Sequence, residues 1–282
     1  MSGYGEPMPH STPHSHDPHP YFDGAGHPRV IAHRGFVSAE LAAQGIAENT
    51  RATFAAALAA GADLLETDCH LTRDGVVVLA HDADLSRVAG DPRLITEVDV
   101  AELADIFADR GGLLTLEQAL AEFPDAHWNI DVKAAAVAVP LGRIVAPHAE
   151  RVLVTSFSET FRRAAIEAAG LERPATLPAS LPATSPGRGA LIRVLLAVAL
   201  GSRRLAARAL AGFDALQIPE QQGPIRVLSP RLIAAAHANG VEVHVWTIND
   251  AATMRRLATL GVDGVVSDRT DVAVAALRGG ER

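Results

Sequence analysis

The chain has 282 residues, of which 48% are hydrophobic and 21% charged, so it can bury one substantial core, and a single α/β barrel fits this length. The formal net charge of -8 would repel a phosphate backbone, so binding of nucleic acid through overall charge is not expected. Cys69 is the only cysteine, which excludes an intramolecular disulfide and favours a reducing, cytoplasmic location.

Residues 1–28 contain neither Lys nor Arg and no apolar run, and they are predicted to form a disordered tail rather than a secretory signal. This His-rich tract either binds divalent metal ions loosely or is solvated without a role, and the cost of ordering flexible side chains favours the second interpretation. The histidines in it are His10, His14, His16, His19 and His27.

From Val30 onward, short apolar runs alternate with Ala-rich stretches, a pattern typical of repeated βα units around a parallel sheet. The sequence therefore predicts an α/β fold, a (β/α)8 TIM barrel domain over residues 29–279. The eight predicted strands are Val30–Ala32, Leu64–Asp68, Trp128–Val132, Val152–Thr155, Ala175–Leu177, Ala215–Ile218, Val241–Trp246 and Gly264–Val266.

Helices are predicted to begin where a polar residue precedes an Ala-rich run, at Asn49 or Thr50, Thr115, Ser158 and Ser229. Glycines that favour a left-handed backbone are expected at helix C-termini, at Gly61, Gly170, Gly240 and Gly261. One interval differs from a plain βα unit. After the second strand, an Asp74–Gly75 turn leads into VVVLAHD, which predicts a small β-hairpin insertion at the top of the barrel.

The stretch 189–212 joins an apolar run, interrupted by Arg193, to an arginine-rich run. It is too short to span a bilayer. A basic amphipathic segment can contact a membrane surface, but a helix that is apolar on one face normally packs on its own barrel, and the second interpretation is favoured.

Acidic side chains mark the second and third strands at the end where parallel barrels carry their reactive groups. Glu66, Asp68 and His70 alternate, so their side chains leave the same face of the strand and point into the barrel. Neighbouring carboxylates repel each other unless a cation or a shared proton neutralises them. With Asp131 from the third strand as a further oxygen ligand, the pattern favours a hard divalent cation, Mg²⁺ or Ca²⁺.

Two histidines and two basic residues follow strands at the same end. His33 and His81 titrate near neutrality, as a general acid and a general base require. Arg34 and Lys133 supply cations for phosphoryl oxygens. Together with a divalent ion, this set indicates an anionic phosphoester site.

Two of these side chains, and Trp246 at the end of the seventh predicted strand, also have ordinary structural explanations. Arg34 can be a salt-bridge partner of Glu48, and Lys133 can merely offset the charge of Asp131. Trp246 can be a core residue, as large aromatic residues usually are.

Short motifs follow one another in a fixed order along the chain. They are AHRG at 32–35, AENT at 47–50, GADLLETDCHLTRDGVVVLAHDADLSRVAG at 61–90, NIDVK at 129–133, TSF at 155–157 and VWTIND at 245–250. The HRG string alone is weak evidence, but HRG followed by ENT, ExD, DG and HD at these spacings is specific. The chain resembles the glycerophosphodiester phosphodiesterase family over nearly all of residues 30–270.

This resemblance implies a role for each candidate residue. The catalytic histidines would be His33 and His81, the metal ligands Glu66, Asp68 and Asp131, and the substrate-binding residues Arg34, Lys133 and Trp246.

The sequence departs from the family's pattern at two places. Asp131 stands where Glu is normal, so the shorter side chain either draws the metal toward the third strand or inserts a water molecule. The segment FVSAELAAQGIA between HRG and ENT is longer than expected, and Ala47 stands where proline is usual. Altered substrate selection is therefore expected.

The resemblance implies metal-dependent hydrolysis of a small-molecule glycerophosphodiester to sn-glycerol 3-phosphate and an alcohol, by two-histidine acid/base catalysis. The basic stretch at 189–212 supports one alternative, a membrane-docking phosphodiesterase that acts on lysophospholipid. Asp131 and the long first loop support another, a barrel that binds a phosphoester without turning it over.

Overall fold

The computed structural model describes residues 19–172 and 180–279. The strands are β1 Arg29–His33, β2 Leu64–Leu71, β3 Val77–Leu79, β4 Asp84–Leu85, β5 Asp91–Leu94, β6 His127–Val132, β7 Val152–Thr155, β8 Ala183–Thr184, β9 Ala215–Pro219, β10 Gln221–Gln222, β11 Ile225–Arg226, β12 Glu242–Trp246 and β13 Gly264–Ser267. The helices are α1 Ala39–Ala43, α2 Arg51–Ala59, α3 Ser86–Ala89, α4 Val100–Phe107, α5 Leu116–Glu122, α6 Ala135–Val145, α7 Glu159–Glu172, α8 Arg188–Ala199, α9 Arg203–Leu210, α10 Pro230–His237, α11 Ala251–Leu260 and α12 Thr270–Arg278.

Eight parallel strands form a nearly closed barrel, in the order β8, β7, β6, β2, β1, β13, β12, β9. At the seam between β8 and β9, the amide of Asp214 donates to the carbonyl of Thr184 at 2.9 Å. This architecture confirms the predicted (β/α)8 TIM barrel.

Alternation along the strands separates the barrel interior from the helix layer. On β6, Trp128 is fully buried and packs edge-on against Phe54 of α2, with 4.9 Å between the ring centroids. Asn129 and Asp131 alternate with it and therefore point inward. The sequence of β6 thus directs apolar side chains to the helices and polar side chains to the barrel interior.

The predicted hairpin after the second barrel strand is confirmed. β3 pairs antiparallel with the end of β2, with Leu71 opposite Val77. Gly75 has a φ of 82°, the left-handed conformation that a tight Asp-Gly turn uses.

Most predicted helix boundaries are confirmed. Thr115 and Ser229 cap α5 and α10 by accepting hydrogen bonds from the amides of Gln118 and Leu232, and Thr50 precedes α2. The left-handed φ expected at helix ends occurs at Gly61, Gly240 and Gly261.

The expected helix end at Gly170 is wrong, because α7 continues through Leu171 to Glu172. A glycine inside a helix is tolerated at a cost of about 1 kcal/mol, so glycine alone does not mark a C-terminus.

The fifth strand differs in position from the sequence prediction. The predicted segment 175–177 lies outside the described residues. The strand that pairs with β7 is β8, with Val154 opposite Thr184. Its run of two residues is too short to give a period-two signal in the sequence.

The structure moves the boundary of the predicted N-terminal tail. The predicted tail includes residues 19–28, but Tyr21 is fully buried and its carbonyl accepts a hydrogen bond from His127 Nδ1 at 2.6 Å. His19 Nδ1 accepts from the Tyr21 amide, and His27 Nε2 lies 3.0 Å from Asp263 Oδ1. The histidines His10, His14 and His16 lie outside the described residues.

Residues 189–212 form most of α8 and all of α9, joined by a tight turn at Gly201. Among the described residues, no helix is long and apolar enough to cross a bilayer.

Candidate active site

The strand registers bring the predicted polar residues into adjacent rows at the C-terminal end of the barrel. His33 of β1 lies opposite Glu66 of β2, and Asp68 of β2 lies opposite Asp131 of β6. Because these strands are parallel neighbours, their inward-facing side chains converge on one space. That space is a cavity of about 430 Å³, and all eight predicted site residues line it: His33, Arg34, Glu66, Asp68, His81, Asp131, Lys133 and Trp246.

His33 is held by a carboxylate on each side. Its Nδ1 lies 2.6 Å from Asp268 Oδ1, and its Nε2 lies 4.0 Å from Glu66 Oε2. Asn249 Nδ2 donates to the other oxygen of Asp268 at 2.8 Å, which fixes that carboxylate. Burial acts to lower the pKa of His33, but the hydrogen bond to Asp268 and the charge of Glu66 outweigh it and raise the pKa. With Nδ1 occupied, Nε2 is the nitrogen free to exchange a proton.

His81 is oriented in the same way by its neighbour in the sequence. Its Nδ1 lies 2.7 Å from Asp82 Oδ1, and Arg87 Nε donates to Asp82 Oδ2 at 2.6 Å. His70 Nε2 lies 3.1 Å from the His81 carbonyl oxygen, which holds the backbone at that point. The second imidazole therefore also presents Nε2 for proton transfer.

The inward carboxylates share a single buried cluster with two cations. Lys133 Nζ lies 2.7 Å from both Asp68 Oδ1 and Asp131 Oδ2. Glu66 Oε2 accepts a hydrogen bond from the Arg34 amide at 3.0 Å. Burial and the neighbouring charge of Asp68 raise the pKa of Glu66 to about 8. The cluster thus holds more negative charge than its protein cations readily balance.

Arg34 and Lys133 make the ion pairs that the structural explanations predict, and both also line the cavity. Arg34 Nη1 donates to Glu48 Oε1 at 3.0 Å, as the salt-bridge interpretation expected. Its Nε lies 3.3 Å from Asp68 Oδ2, a charge contact without hydrogen-bond geometry. Lys133 does pair with Asp131. Both cations also face the cavity, so pairing with acids and contact with an anionic ligand are compatible.

The donor set fits a hard cation. Asp68 Oδ2 and Asp131 Oδ1 are buried without a hydrogen-bond partner, and carboxylate oxygens are the ligands that Mg²⁺ and Ca²⁺ prefer. Across residues 19–172 and 180–279, no group of three or more His, Cys, Asp or Glu side chains already surrounds a common metal position. Lys133 Nζ holds Asp68 and Asp131 instead, so a metal ion would compete with this ammonium for them.

The HRG and ENT motifs lock together behind the site. Arg34 and Asn49 have left-handed φ values of 56° and 57°, and the Asn49 amide donates to the Arg34 carbonyl at 2.9 Å. Thr67 Oγ1 donates to Asn49 Oδ1 at 2.8 Å. A Cβ on Gly35 would come within 2.8 Å of the Thr53 backbone carbon. These contacts explain why this turn needs Gly35 and how it fixes the Arg34 backbone beside Glu66.

An aromatic pair borders the mouth of the cavity. Trp246 packs against a buried core cluster, in part as the structural alternative expects, but it is also partly exposed and lines the cavity. Its ring packs edge-on against Phe157, with 5.9 Å between centroids, and Lys133 Nζ lies 5.8 Å from the Phe157 ring centroid. Phe157 belongs to the TSF string, but no role for it was derived from the sequence.

Sequence reasoning missed Asp268 and the apolar wall of the cavity. Asp268 directly follows β13, so the strand-end rule that identified His33 could have found it. The apolar wall comes from α8 and the β10–β11 region, which the sequence pattern did not place beside the site. Its members are Leu191, Ile192, Leu195, Ile225 and Val227.

A parallel barrel with acids, cations and two oriented imidazoles in one cavity at the C-terminal ends of its strands defines a TIM-barrel enzyme site for phosphoester chemistry. Residues 33–272 match the model of the glycerophosphoryl diester phosphodiesterase family. The chain belongs to this family and is a phosphoric diester hydrolase.

Relatives and solved structures agree with this assignment. The chain is 35% identical over 247 residues to a probable glycerophosphodiester phosphodiesterase 2 of Mycobacterium tuberculosis, covering 86% of this chain and 88% of the relative. It is 25% identical over 280 residues to a lysophospholipase D of Rattus norvegicus, covering 85% and 83%.

Two solved structures share the fold. One is an Oleispira antarctica phosphodiesterase in complex with the product sn-glycerol-3-phosphate, with a TM-score of 0.65, 22% identity and coverage of 89% of this chain and 97% of that one. The other is a putative glycerophosphoryl diester phosphodiesterase from Silicibacter pomeroyi, with a TM-score of 0.68, 23% identity and coverage of 92% and 97%.

Proposed function

We propose that this protein hydrolyses glycerophosphodiesters to sn-glycerol 3-phosphate and an alcohol, with a divalent cation and with His33 and His81 as the proton-transfer pair. One observation carries the proposal: two imidazoles, each held at Nδ1 by a carboxylate, line the same cavity as Arg34 and Lys133. Family membership and the product named for the Oleispira antarctica enzyme support the substrate class.

The protein's own groups account for binding and proton transfer. Arg34 and Lys133 attract the phosphate oxygens, and the partly exposed Trp246 borders the substrate. The carboxylates of Asp268 and Asp82 favour a proton on each Nδ1, so the Nε2 atoms of His33 and His81 exchange protons with substrate.

The reaction is then a two-step transfer at phosphorus. In the first step, one histidine takes the proton of a glycerol hydroxyl, whose oxygen attacks phosphorus to form a cyclic glycerol phosphate, and the other histidine protonates the leaving alcohol as its P–O bond breaks. In the second step the roles reverse. The histidine now neutral takes a proton from water, whose oxygen attacks phosphorus, and the other returns a proton to the glycerol oxygen as the ring opens. Both histidines end in their starting states.

The metal would be held by Glu66, Asp68 and Asp131. Two of these side chains carry a buried oxygen without a hydrogen-bond partner, and Glu66 has a raised pKa that a nearby cation would lower. When bound, the cation would neutralise the phosphate charge and acidify the attacking hydroxyl.

The test is product analysis with glycerophosphocholine in Mg²⁺ or Ca²⁺. The proposal predicts equal amounts of sn-glycerol 3-phosphate and choline. Release of phosphocholine and glycerol instead would place cleavage at the other P–O bond and contradict the mechanism. Calorimetry on the same mixture distinguishes the enzyme from the non-catalytic alternative. Tight binding without product would identify a barrel that only binds a phosphoester.

The apolar wall of the cavity favours a second candidate, hydrolysis of lysophospholipids. Leu191, Ile192, Leu195, Ile225 and Val227 line the same cavity as the two histidines. A glycerophosphodiester with a small polar head group has no apolar part to occupy this wall, whereas an acyl chain would bury itself there at about 25 cal/mol per Å².

This candidate is tested by comparing lysophosphatidylcholine with glycerophosphocholine. An apolar subsite predicts that Ile192→Asp raises the KM for the lysophospholipid several-fold and leaves the KM for glycerophosphocholine nearly unchanged. Equal effects on both substrates would show that the wall does not bind an acyl chain.

A further inference from the structure

A surface that is both basic and apolar lies beside the cavity, on α8 and α9. We call it the α8–α9 surface, and define it by Ile192, Arg193, Leu196, Leu200, Arg203, Arg204, Leu205 and Arg208.

The apolar part of this surface is a stripe along α8. Ile192, Leu196 and Leu200 follow one another at intervals of four residues, which places them on one side of the helix. They are 50%, 59% and 73% exposed, while Val194 and Ala197 on the other side are buried against the barrel. Helix α8 is therefore apolar on two sides, although packing on the barrel requires only one.

The charged side chains of this surface are all basic. The chain contains no acidic residue between Glu172 and Asp214, although its formal net charge is -8. Arg193, Arg203, Arg204 and Arg208 lie in this interval and are exposed. Most other arginines in the described parts of the chain pair with an acid or with a carbonyl, whereas none of these four makes an ion pair there. The surface therefore complements an anionic partner.

The α8–α9 surface is continuous with the mouth of the cavity. Ile192 belongs to both the stripe and the cavity wall. Two other large apolar side chains at the mouth are also exposed, Phe157 at 61% and Ile225 at 63%. Exposed aliphatic and aromatic side chains next to unpaired arginines are the combination that binds the interface of an anionic bilayer.

We propose that the α8–α9 surface docks this protein on anionic phospholipid bilayers. The aliphatic side chains enter the interfacial region and the arginines contact lipid phosphates, so that the cavity mouth faces the membrane surface. Docking does not depend on which phosphodiester the active site cleaves, and it is measured without substrate.

The experiment is flotation of the full-length protein with phosphatidylcholine vesicles that contain or lack phosphatidylglycerol. We expect retention only on vesicles with phosphatidylglycerol, and release as salt is raised. The double variant Leu196→Ser/Leu200→Ser and the triple variant Arg203→Gln/Arg204→Gln/Arg208→Gln should each lower the partition coefficient by at least about tenfold. These five residues lie outside the cavity lining, so turnover of glycerophosphocholine should stay at the wild-type rate.

Matched controls come from other faces of the barrel. Leu94→Ser removes an exposed leucine on β5, and Arg255→Gln removes an exposed arginine on α11. Both should bind vesicles like the wild type.

Three outcomes would overturn the proposal: no retention of the wild type, wild-type retention of both multiple variants, or loss of binding in the controls as well. Sedimentation velocity tests whether the α8–α9 surface instead binds a second copy of the chain. If the wild type is a dimer that Leu196→Ser/Leu200→Ser converts to a monomer, and vesicles retain neither, the surface is a contact between two copies. His33→Ala should lose hydrolysis but float like the wild type, so a failure of the proposed active site and a failure of docking give different results.

Discussion

Asp268 Oδ1 lies 2.6 Å from His33 Nδ1, although the two residues are 235 positions apart in the chain. The contact results from the closure of the barrel. Strands β1 and β13 are parallel neighbours, with Ala32 opposite Ser267. The residues that follow these two, His33 and Asp268, therefore lie at the same level of the barrel. The last barrel strand thereby orients an imidazole carried by the first.

Asp268→Asn should lower kcat by at least about tenfold, because the carboxylate no longer favours a proton on Nδ1 of His33. Asp268 also raises the pKa of His33, so any limb of the pH-rate profile that His33 contributes should move to lower pH. Steady-state kinetics across pH checks both. An unchanged pH profile with a lowered melting temperature would show a merely structural role.

Removal of divalent cations with excess chelator should abolish hydrolysis, and added Mg²⁺ or Ca²⁺ should restore it. Asp131→Asn should raise the metal concentration for half-maximal activity by about tenfold or more, since it removes one charged ligand. Glu122→Gln, in an exposed ion pair with Arg51, is the control and should not alter the metal requirement. Full activity in excess chelator would refute the metal site.

Gly35→Ala should lower the free energy of unfolding by about 3 kcal/mol, since it combines a left-handed φ of 81° with a Cβ placed 2.8 Å from the Thr53 backbone carbon. Gly75→Ala is a matched control. Its φ is 82° but a Cβ there meets no atom within 4 Å, so the cost should be about 1 kcal/mol. Urea denaturation of both variants measures the difference, and equal losses would refute the steric argument.

A partly buried ion pair between Arg29 and Glu242, at the N-terminal end of the barrel, should make stability depend on pH. Burial acts to raise the pKa of Glu242, but hydrogen bonds from Arg29 and His244 outweigh it and lower the pKa from 4.5 to about 2. A lowered carboxyl pKa stabilises the fold above pH 4.5, and this stabilisation is lost as pH falls toward 2.

Glu242→Gln should therefore lower the free energy of unfolding by about 3 kcal/mol at neutral pH, and its difference from the wild type should shrink below pH 4.5. Glu102→Gln, in an exposed pair with Arg93, should leave the free energy of unfolding nearly unchanged. Chemical denaturation at several pH values checks this, and a pH-independent difference would contradict the assigned ion pair.

The barrel and its polar rows could be predicted because both depend on local periodicity. Alternation along β2 placed Glu66 and Asp68 on one face, and the parallel sheet placed His33 and Asp131 beside them. These relationships require only strand identity and order.

The remaining features depend on contacts that periodicity does not encode. The pairing of Lys133 with both Asp68 and Asp131 results from side-chain packing at a strand end. The placement of Ile192 and Ile225 at the cavity mouth depends on how α8 and the β10–β11 hairpin fold back over the barrel. The ordered segment at Tyr21 follows a polar stretch, so composition assigned it to the tail although its ring is buried.

In the proposed reaction, His33 and His81 transfer the protons. The most direct measurement is single-turnover release of sn-glycerol 3-phosphate by His33→Ala and His81→Ala. His148→Ala is the control, because His148 precedes β7 and so lies at the N-terminal end of the strand, away from the active site. Loss of at least about a hundredfold in rate for each active-site variant, with unchanged melting temperature and a normal control, is the expected result. A wild-type rate in either variant would show that the substituted histidine does not transfer a proton.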